Sequence, residues 1–247
     1  MTFVFALGVA LFGAIVQRVT GLGFALVATP PLVLLFGPND GVRIVVLLGI
    51  VASGIMAVTM RRDIQWKRTW GLIWPALLVS PLAALVAHVS PAVVLLYVVG
   101  VAAVLSLVAP KIPKLSMVFS GRGGSVVTGA SAGFLHVTSG LSGPPLVAHA
   151  AGTKWAQVQF VASVQIVFLA FHVLTLGWRG LPSTSTSSAV ELVALAAVVA
   201  LGILLGGLIA RRVRVEVARK AMFAVAWIGA IVVLIRATVE LVDRLAS

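Results

Sequence analysis

The residues richest in chemistry are Gly133-Phe134-Leu135-His136-Val137-Thr138-Ser139-Gly140-Leu141-Ser142-Gly143-Pro144-Pro145. They place glycine, proline, hydroxyls and a histidine inside an apolar run. A weaker counterpart, Gln17-Arg18-Val19-Thr20-Gly21-Leu22-Gly23 followed by Thr29-Pro30-Pro31, lies nearer the N-terminus. Lipid offers nothing to satisfy the backbone groups that such breaks free, so they belong where protein or a cavity surrounds them. A helix restarting after a break presents unpaired N–H groups and the positive end of its dipole. That arrangement holds an oxyanion without a full countercharge. The helix expected to start near Ser142–Gly143 is the strongest candidate. Pro144 and Pro145 suit a first turn, Gly140 and Gly143 permit close backbone approach, and Thr138, Ser139 and Ser142 offer hydroxyls. In the other break, Thr20, Gly21 and Gly23 take the matching part.

Four further groups are weighed around these breaks. Gln17 and Gln165 are amides in apolar surroundings, read either as ligand-orienting groups or as interhelical hydrogen bonds. Arg18 is either the countercharge of an anion or a loop residue on the cytoplasmic side. Histidine titrates nearest neutrality, so His136, His149 and His172 are candidates to carry a coupling proton, with His136 and His149 the preferred pair because they flank the longer break. For any one histidine a structural hydrogen bond is the commoner role, and His88, at a helix end, reads as a cap or interface residue. The carboxylates Asp40, Asp63, Glu191, Glu216, Glu240 and Asp243 all fall in loops or near span ends. That argues against a carboxylate proton relay or cation site and toward an anionic or neutral solute. There is no His-Glu zinc pattern, no paired catalytic carboxylates and no phosphate loop, so neither an enzyme nor a metal or cofactor site is expected.

The elements that position these groups follow from composition. Hydrophobic residues make up 61% and charged residues 10% of the 247, and mean hydropathy is +1.17. A soluble domain carries about 25% charged residues, so the chain reads as an all-α, multi-pass membrane protein. Its net charge of +12 is assigned to cytoplasmic loops rather than to nucleic-acid binding. Cysteine is absent, which excludes disulfides and thiolate metal sites. The first apolar run lacks a preceding basic segment and is expected to be retained.

Superimposing Pro30-Pro31-Leu32-Val33 on Pro144-Pro145-Leu146-Val147 brings two halves into register. Residues 1–112 read as a Gly/Pro-broken hairpin (2–36) and spans at 42–60, 69–87 and 92–109. Residues 113–247 read as a hairpin (125–153) and spans at 156–177, 189–210 and 221–242. Gly37-Pro38-Asn39-Asp40-Gly41 is a turn by composition. The basic loop Arg61–Arg68 falls opposite the nearly uncharged Arg179–Ser188, and His88–Pro91 opposite the basic Arg211–Lys220. Basic loops stay in the cytoplasm, so this alternation implies that the halves insert with opposite topology and that each hairpin returns to its starting side. Both termini are then external. Arg18, Arg61, Arg62, Lys67, Arg68, Lys111, Lys114, Arg122, Lys154, Arg211, Arg212, Arg214, Arg219 and Lys220 lie inside, and Arg43, Arg179, Arg236 and Arg244 do not. Inverted repeats with paired breaks are a mark of secondary transporters that bind near the midplane. The alternative is that the breaks serve helix packing, which also favours small residues.

Gly129-Ala130-Ser131-Ala132-Gly133-Phe134, Gly140 through Leu146, and Trp155 to Gln165 together resemble the second-half motif of the TauE/SafE sulfite exporter family, also called the toluene-sulfonate uptake permease family. Gly21-Leu22-Gly23 with Pro30-Pro31-Leu32 resembles its first-half motif, and Asp63-Ile64-Gln65-Trp66 the loop after its second apolar unit. His136 to Ser139 replace a plainer Gly-Ile-Gly-Gly run, and Gln165 stands where asparagine is frequent. The resemblance implies an inner-membrane permease for small anions such as sulfite or sulfonates. A channel-like pore and a non-transporting membrane subunit are the competing readings. The partners expected are the anion, a coupling proton or ion, the lipid bilayer and, compatibly, further copies of the chain.

Overall fold

The computed structural model describes residues 1–109, 112–121, 123–184, 186–210, 212 and 214–246. Lys111, Arg122 and Arg211, counted above among the inside charges, lie outside the described residues. Ten α-helices and one 3-10 turn make up the ordered elements among the rest. They are α1 (Thr2–Thr20), α2 (Phe24–Thr59), the 3-10 turn Arg61–Asp63, α3 (Trp66–Val89), α4 (Ala92–Val108), α5 (Pro113–Ser120), α6 (Gly124–Ser139), α7 (Gly143–Gly152), α8 (Gln157–Arg179), α9 (Ala189–Ile209) and α10 (Val215–Ala246). Six of these are long and apolar enough to cross a membrane, and α4 is a shorter apolar helix. The protein is a multi-pass helical membrane protein.

Taken as one rod, the 36 residues of α2 would be about 54 Å long, far beyond a bilayer core of about 30 Å. The helix is in fact two limbs. Gly37 adopts φ 80°, ψ 165°, and a Cβ placed on Gly41 would lie 2.6 Å from the Cα of Val33. The chain therefore doubles back at the Gly37–Gly41 turn that composition picks out. Pro38 fits the first turn of the second limb, where its missing N–H costs nothing.

The most extensive helix pairs are α3 with α6, α1 with α9, α4 with α10 and α2 with α8. Two of the four are built on Gly-x-x-x-Gly faces, which let helix backbones approach closely. On α6, a Cβ at Gly129 would fall 2.2 Å from the carbonyl oxygen of Leu72, and one at Gly133 2.4 Å from Ala76 Cβ, both on α3. On α9, Cβ atoms at Gly202 and Gly206 would each come within 2.7 Å of α1, at Ala14 and Arg18.

One face of the molecule gathers the basic segments. Arg18 reaches Met56 Sδ near the end of α2 at 3.3 Å and lies over Gly206 near the end of α9. The guanidinium of Arg68 stacks over Trp155 at 5.0 Å, and Gln65 Nε2 donates to Gln159 Oε1 at 2.5 Å. The helix α5, between the last span of the first half and the second hairpin, is only eight residues long, too short for a periodic signal.

Replacing Gly129 by Val drives side-chain atoms into the Leu72 carbonyl. It should destabilise the protein by about 1–3 kcal/mol or more, read as a lowered thermal unfolding midpoint in detergent. Gly8→Ala, where a Cβ meets nothing within 4 Å, should leave that midpoint unchanged or raise it.

Candidate functional site

The two breaks are separate turns, the first packed on α8 and the second on the second limb of α2. In the first, Gly21 (φ 80°) ends α1 in the left-handed region and Gly23 (φ 151°) precedes α2. A Cβ on Gly21 would strike Val161 at 2.6 Å, so the turn is pressed on the first turns of α8. Gln165 Nε2 donates to the Gly21 carbonyl at 2.9 Å and to the Val161 carbonyl at 3.1 Å. Gln17 Nε2 donates to Gln165 Oε1 at 3.1 Å, while Gln17 Oε1 accepts from Phe24 N–H at 3.2 Å. The two amides thus form an interhelical bond and also serve the groups freed by the break, one carbonyl and one of the first N–H donors of α2. Thr20 Oγ1 lies within hydrogen-bond distance of the Val16 and Leu22 carbonyls.

In the second break, Gly140 (φ 74°) ends α6 and α7 restarts at Gly143 with Pro144 and Pro145 in its first turn. The prolines take away two donors, leaving Gly143 as the N–H source among the first three residues of α7. Hydroxyls here are largely committed to carbonyls one turn back: Thr138 Oγ1 donates to Phe134 O at 2.9 Å and Ser139 Oγ to Leu135 O at 2.7 Å. Leu141 N–H caps back onto Ser139 Oγ at 3.3 Å.

Ser142 differs. Its Oγ is 3.0 Å from His136 Nδ1, and His136 Nε2 is 2.9 Å from His172 Nδ1 on α8. One proton per ring satisfies this chain in either direction. Both imidazoles are buried, beside the rings of Phe168 and Phe171. Gly49 makes room for them, since a Cβ there would lie 2.4 Å from His172 Nε2.

His136 is thus partnered by His172, while His149, the other candidate flanking the break, lies apart from this chain. The His149 Nδ1 is 2.6 Å from the Phe119 carbonyl on α5, and its ring stands edge-on to Trp155. Arg18 reaches Met56 and lies over Gly206 and Gly207 of α9. Gly143 is less confined than Gly140: a Cβ there meets only Ser106, at 3.7 Å.

Sequence reasoning passed over two residues. Thr29, noted only as a flank of the prolines, is fully buried and its Oγ1 has no hydrogen-bond partner. A Cβ on Gly140 would come 3.7 Å from that oxygen, so the hydroxyl of one half faces the break of the other. Arg179, noted only as a charge outside the cytoplasm, donates from Nη1 to the Val137 and Thr138 carbonyls at 2.9 and 3.0 Å and from Nη2 to Asn39 Oδ1 at 2.9 Å. It neutralises the carbonyl end of α6, where the helix dipole is negative.

Gln165 meets the first turn, and His172, seven residues and so about 10 Å further along α8, meets His136, one helical turn before the second. Leu141 and the partly buried Ala25 and Leu26 of the first turn of α2 nonetheless pack in one cluster with Ala102, Ala103 and Ala230, so α4 and α10 close the same space on both.

A protein-family model described as Sulfite exporter TauE/SafE matches residues 6–233. The chain belongs to this family. The match takes in both breaks and every helix that contributes to them. No curated protein and no solved structure matches the chain. Membership makes it a membrane transport protein of a sulfite exporter family, in keeping with its apolar helices.

The amide pair gives a test that does not depend on transport. Gln17→Leu and Gln165→Leu each orphan buried backbone groups at the first turn, at about 1–3 kcal/mol. Because they share one network, the double variant should cost less than the sum. Unfolding midpoints of the four proteins check this.

Proposed function

We propose that the protein is a secondary transporter that moves a small sulfur-containing anion, sulfite or a sulfonate, by alternating access between its two broken hairpins. The observation that carries the reading is the Thr29 hydroxyl: buried, unpartnered and directed at the Gly140–Ser142 break. An unsatisfied buried polar group is costly, and it is retained where a ligand completes its hydrogen bonding. The proposed binding residues are Thr29 with His136, Thr138, Ser139, Gly140, Ser142, Gly143 and Pro144 at one break. Thr20, Gly21, Gly23, Gln17 and Gln165 form the other. The proposed path for a coupling proton is Ser142–His136–His172. No carboxylate competes for it, since the acids lie in loops or near helix ends.

We read the architecture as two inverted repeats, residues 1–112 and 113–247. Packing supports this. Equating α1 with α6, the limbs of α2 with α7 and α8, α3 with α9, and α4 with α10 turns the α1–α9 pair into α6–α3. The α2–α8 and α4–α10 pairs map onto themselves. The four most extensive helix pairs are therefore closed under exchange of the halves. With basic loops in the cytoplasm, the face bearing Arg61–Arg68 is inside, both termini are external, and the site is an inner-membrane one.

Thr29→Val removes the hydroxyl at constant shape. Stability should be unchanged or improved, because no partner is lost. Saturable sulfite or methanesulfonate uptake into proteoliposomes, with counterflow, should fall about tenfold in kcat/KM, which corresponds to one hydrogen bond of about 1.4 kcal/mol. Uptake equal to that of the unmodified protein would sink the assignment, and flux without saturation or counterflow would replace the transporter by a pore.

A further inference from the structure

Two of the four arginines that break the positive-inside pattern meet. Arg43 and Arg179, one from each half of the chain, line a single recess of about 270 Å³ with Asn39, Pro81, His88 and Trp178. It lies at the far end of α3 from the Arg61–Arg68 loop: the 22 residues from Trp66 to His88 rise about 33 Å. An exposed arginine on the outer face is ordinary. Two converging on one concavity, across more than a hundred residues of sequence, need a reason.

The electrostatics of the recess are positive. Asp40 is the carboxylate paired with Arg43, at 3.0 Å and with its side chain 12% exposed. Its charge is also drawn upon by Ser183 N–H at 3.2 Å and by Thr186 Oγ1 at 2.5 Å. Two guanidinium charges thus face one shared carboxylate. Arg179 is 8% exposed, and the acceptors it holds are uncharged: two carbonyls and the Asn39 amide oxygen. The Nε of Arg43 is buried without a hydrogen-bond partner. Trp178 Nε1 donates to Ser80 Oγ at 3.0 Å, joining α8 to α3 at the wall. The recess, of about 270 Å³, has room for a small oxyanion with part of its water.

We infer that this recess is a second anion site, an outer vestibule in which Arg43 and Arg179 hold a small tetrahedral oxyanion at the mouth opposite the basic loops. It lies beside the membrane path proposed above and takes its orientation from that reading. The same Arg179 that faces the vestibule binds the Val137 and Thr138 carbonyls, three and two residues before Gly140. An anion captured there is one side chain away from the break. Lipid headgroups carry a related oxyanion; the site is assigned to the free ion.

The chain has no cysteine, so H88C supplies a unique thiol at an exposed position on the rim. Its rates with membrane-impermeant anionic and cationic methanethiosulfonates, each divided by the rate for a free thiol in solution, report the local potential. The anionic reagent should be favoured about tenfold, the low end of what charge focusing in a cleft produces. The preference should fall severalfold in H88C/R43Q and return in H88C/R43K. In phosphatidylcholine vesicles, methanesulfonate should slow labelling more than chloride does at equal ionic strength. No anionic preference, a preference indifferent to R43Q, or labelling only from the basic-loop side would overturn the vestibule. So would protection that requires phosphatidylglycerol, which would assign the recess to a headgroup. None of these readouts needs flux: a vestibule lost with saturable uptake intact spares the transport reading, and the reverse result spares the vestibule.

Discussion

Three polar side chains on one face of α8 hold together what the bilayer cannot. Gln165, His172 and Arg179 recur every seven residues, a spacing at which a helix drifts only about 20° per step. Each is buried: Gln165 engages the turn after α1, while His172 and Arg179 engage α6, the one its imidazole and the other its last carbonyls. In hydrocarbon every unpaired backbone group costs several kcal/mol, so two interrupted helices need internal partners. α8 supplies most of them along one stripe, and the hairpins are positioned by it.

That stripe works only because helices come unusually close. Gly49 on the second limb of α2 leaves the space His172 fills, and Gly21 the space Val161 fills. The glycine faces of α6 and α9 draw α3 and α1 against them. Small residues and polar residues are thus two parts of one device. The glycines bring backbones near enough that a single amide, as in Gln165, reaches two carbonyls and a second amide at once. Reading the glycines as packing residues and reading them as site residues are therefore not alternatives. At Gly133 the packing role is plain; at Gly140, with a positive φ and the Thr29 hydroxyl opposite, the turn itself is the feature.

What could be read from the sequence was whatever follows from solvation. The breaks at Gly21 and Gly140, the Gly37–Gly41 reversal and the basic segments that share one face are each dictated by what lipid excludes. Side-chain partners were less legible. His136 and His149 stand out in sequence because both flank the break, but which ring meets His136 follows from helix packing, and α6 lies on α8 so that it is His172. Thr29 carried no local signal apart from its place before two prolines; its exposure to the other half arises from tertiary structure alone. Arg179 and Arg43 were recorded as charges on the wrong side, a description that counts them without saying where they meet. α5, buried in a segment rich in lysine and proline, had too few residues to show a period.

The anchoring of the hairpins on α8 changes the picture of the site most. Inverted-repeat transporters commonly bind at one midplane locus, and two broken hairpins suggest two walls around one ion. Here the groups of α8 that hold the two hairpins, Gln165 at the first turn and His172 at His136 of α6, lie about 10 Å apart along the helix. On the proposed reading, the breaks are successive half-sites along the α8 face rather than two hands on one ligand. Passage between them requires the hairpin tips to slide relative to α8. The first turn is fixed to that helix by amide bonds at both ends of Gln165, the second by an imidazole pair and by Arg179 acting on carbonyls. An imidazole pair changes its hydrogen bonding when it gains a proton, whereas an amide pair does not. On the proposed reading, the movable contact is then at the second break and the hinge at the first.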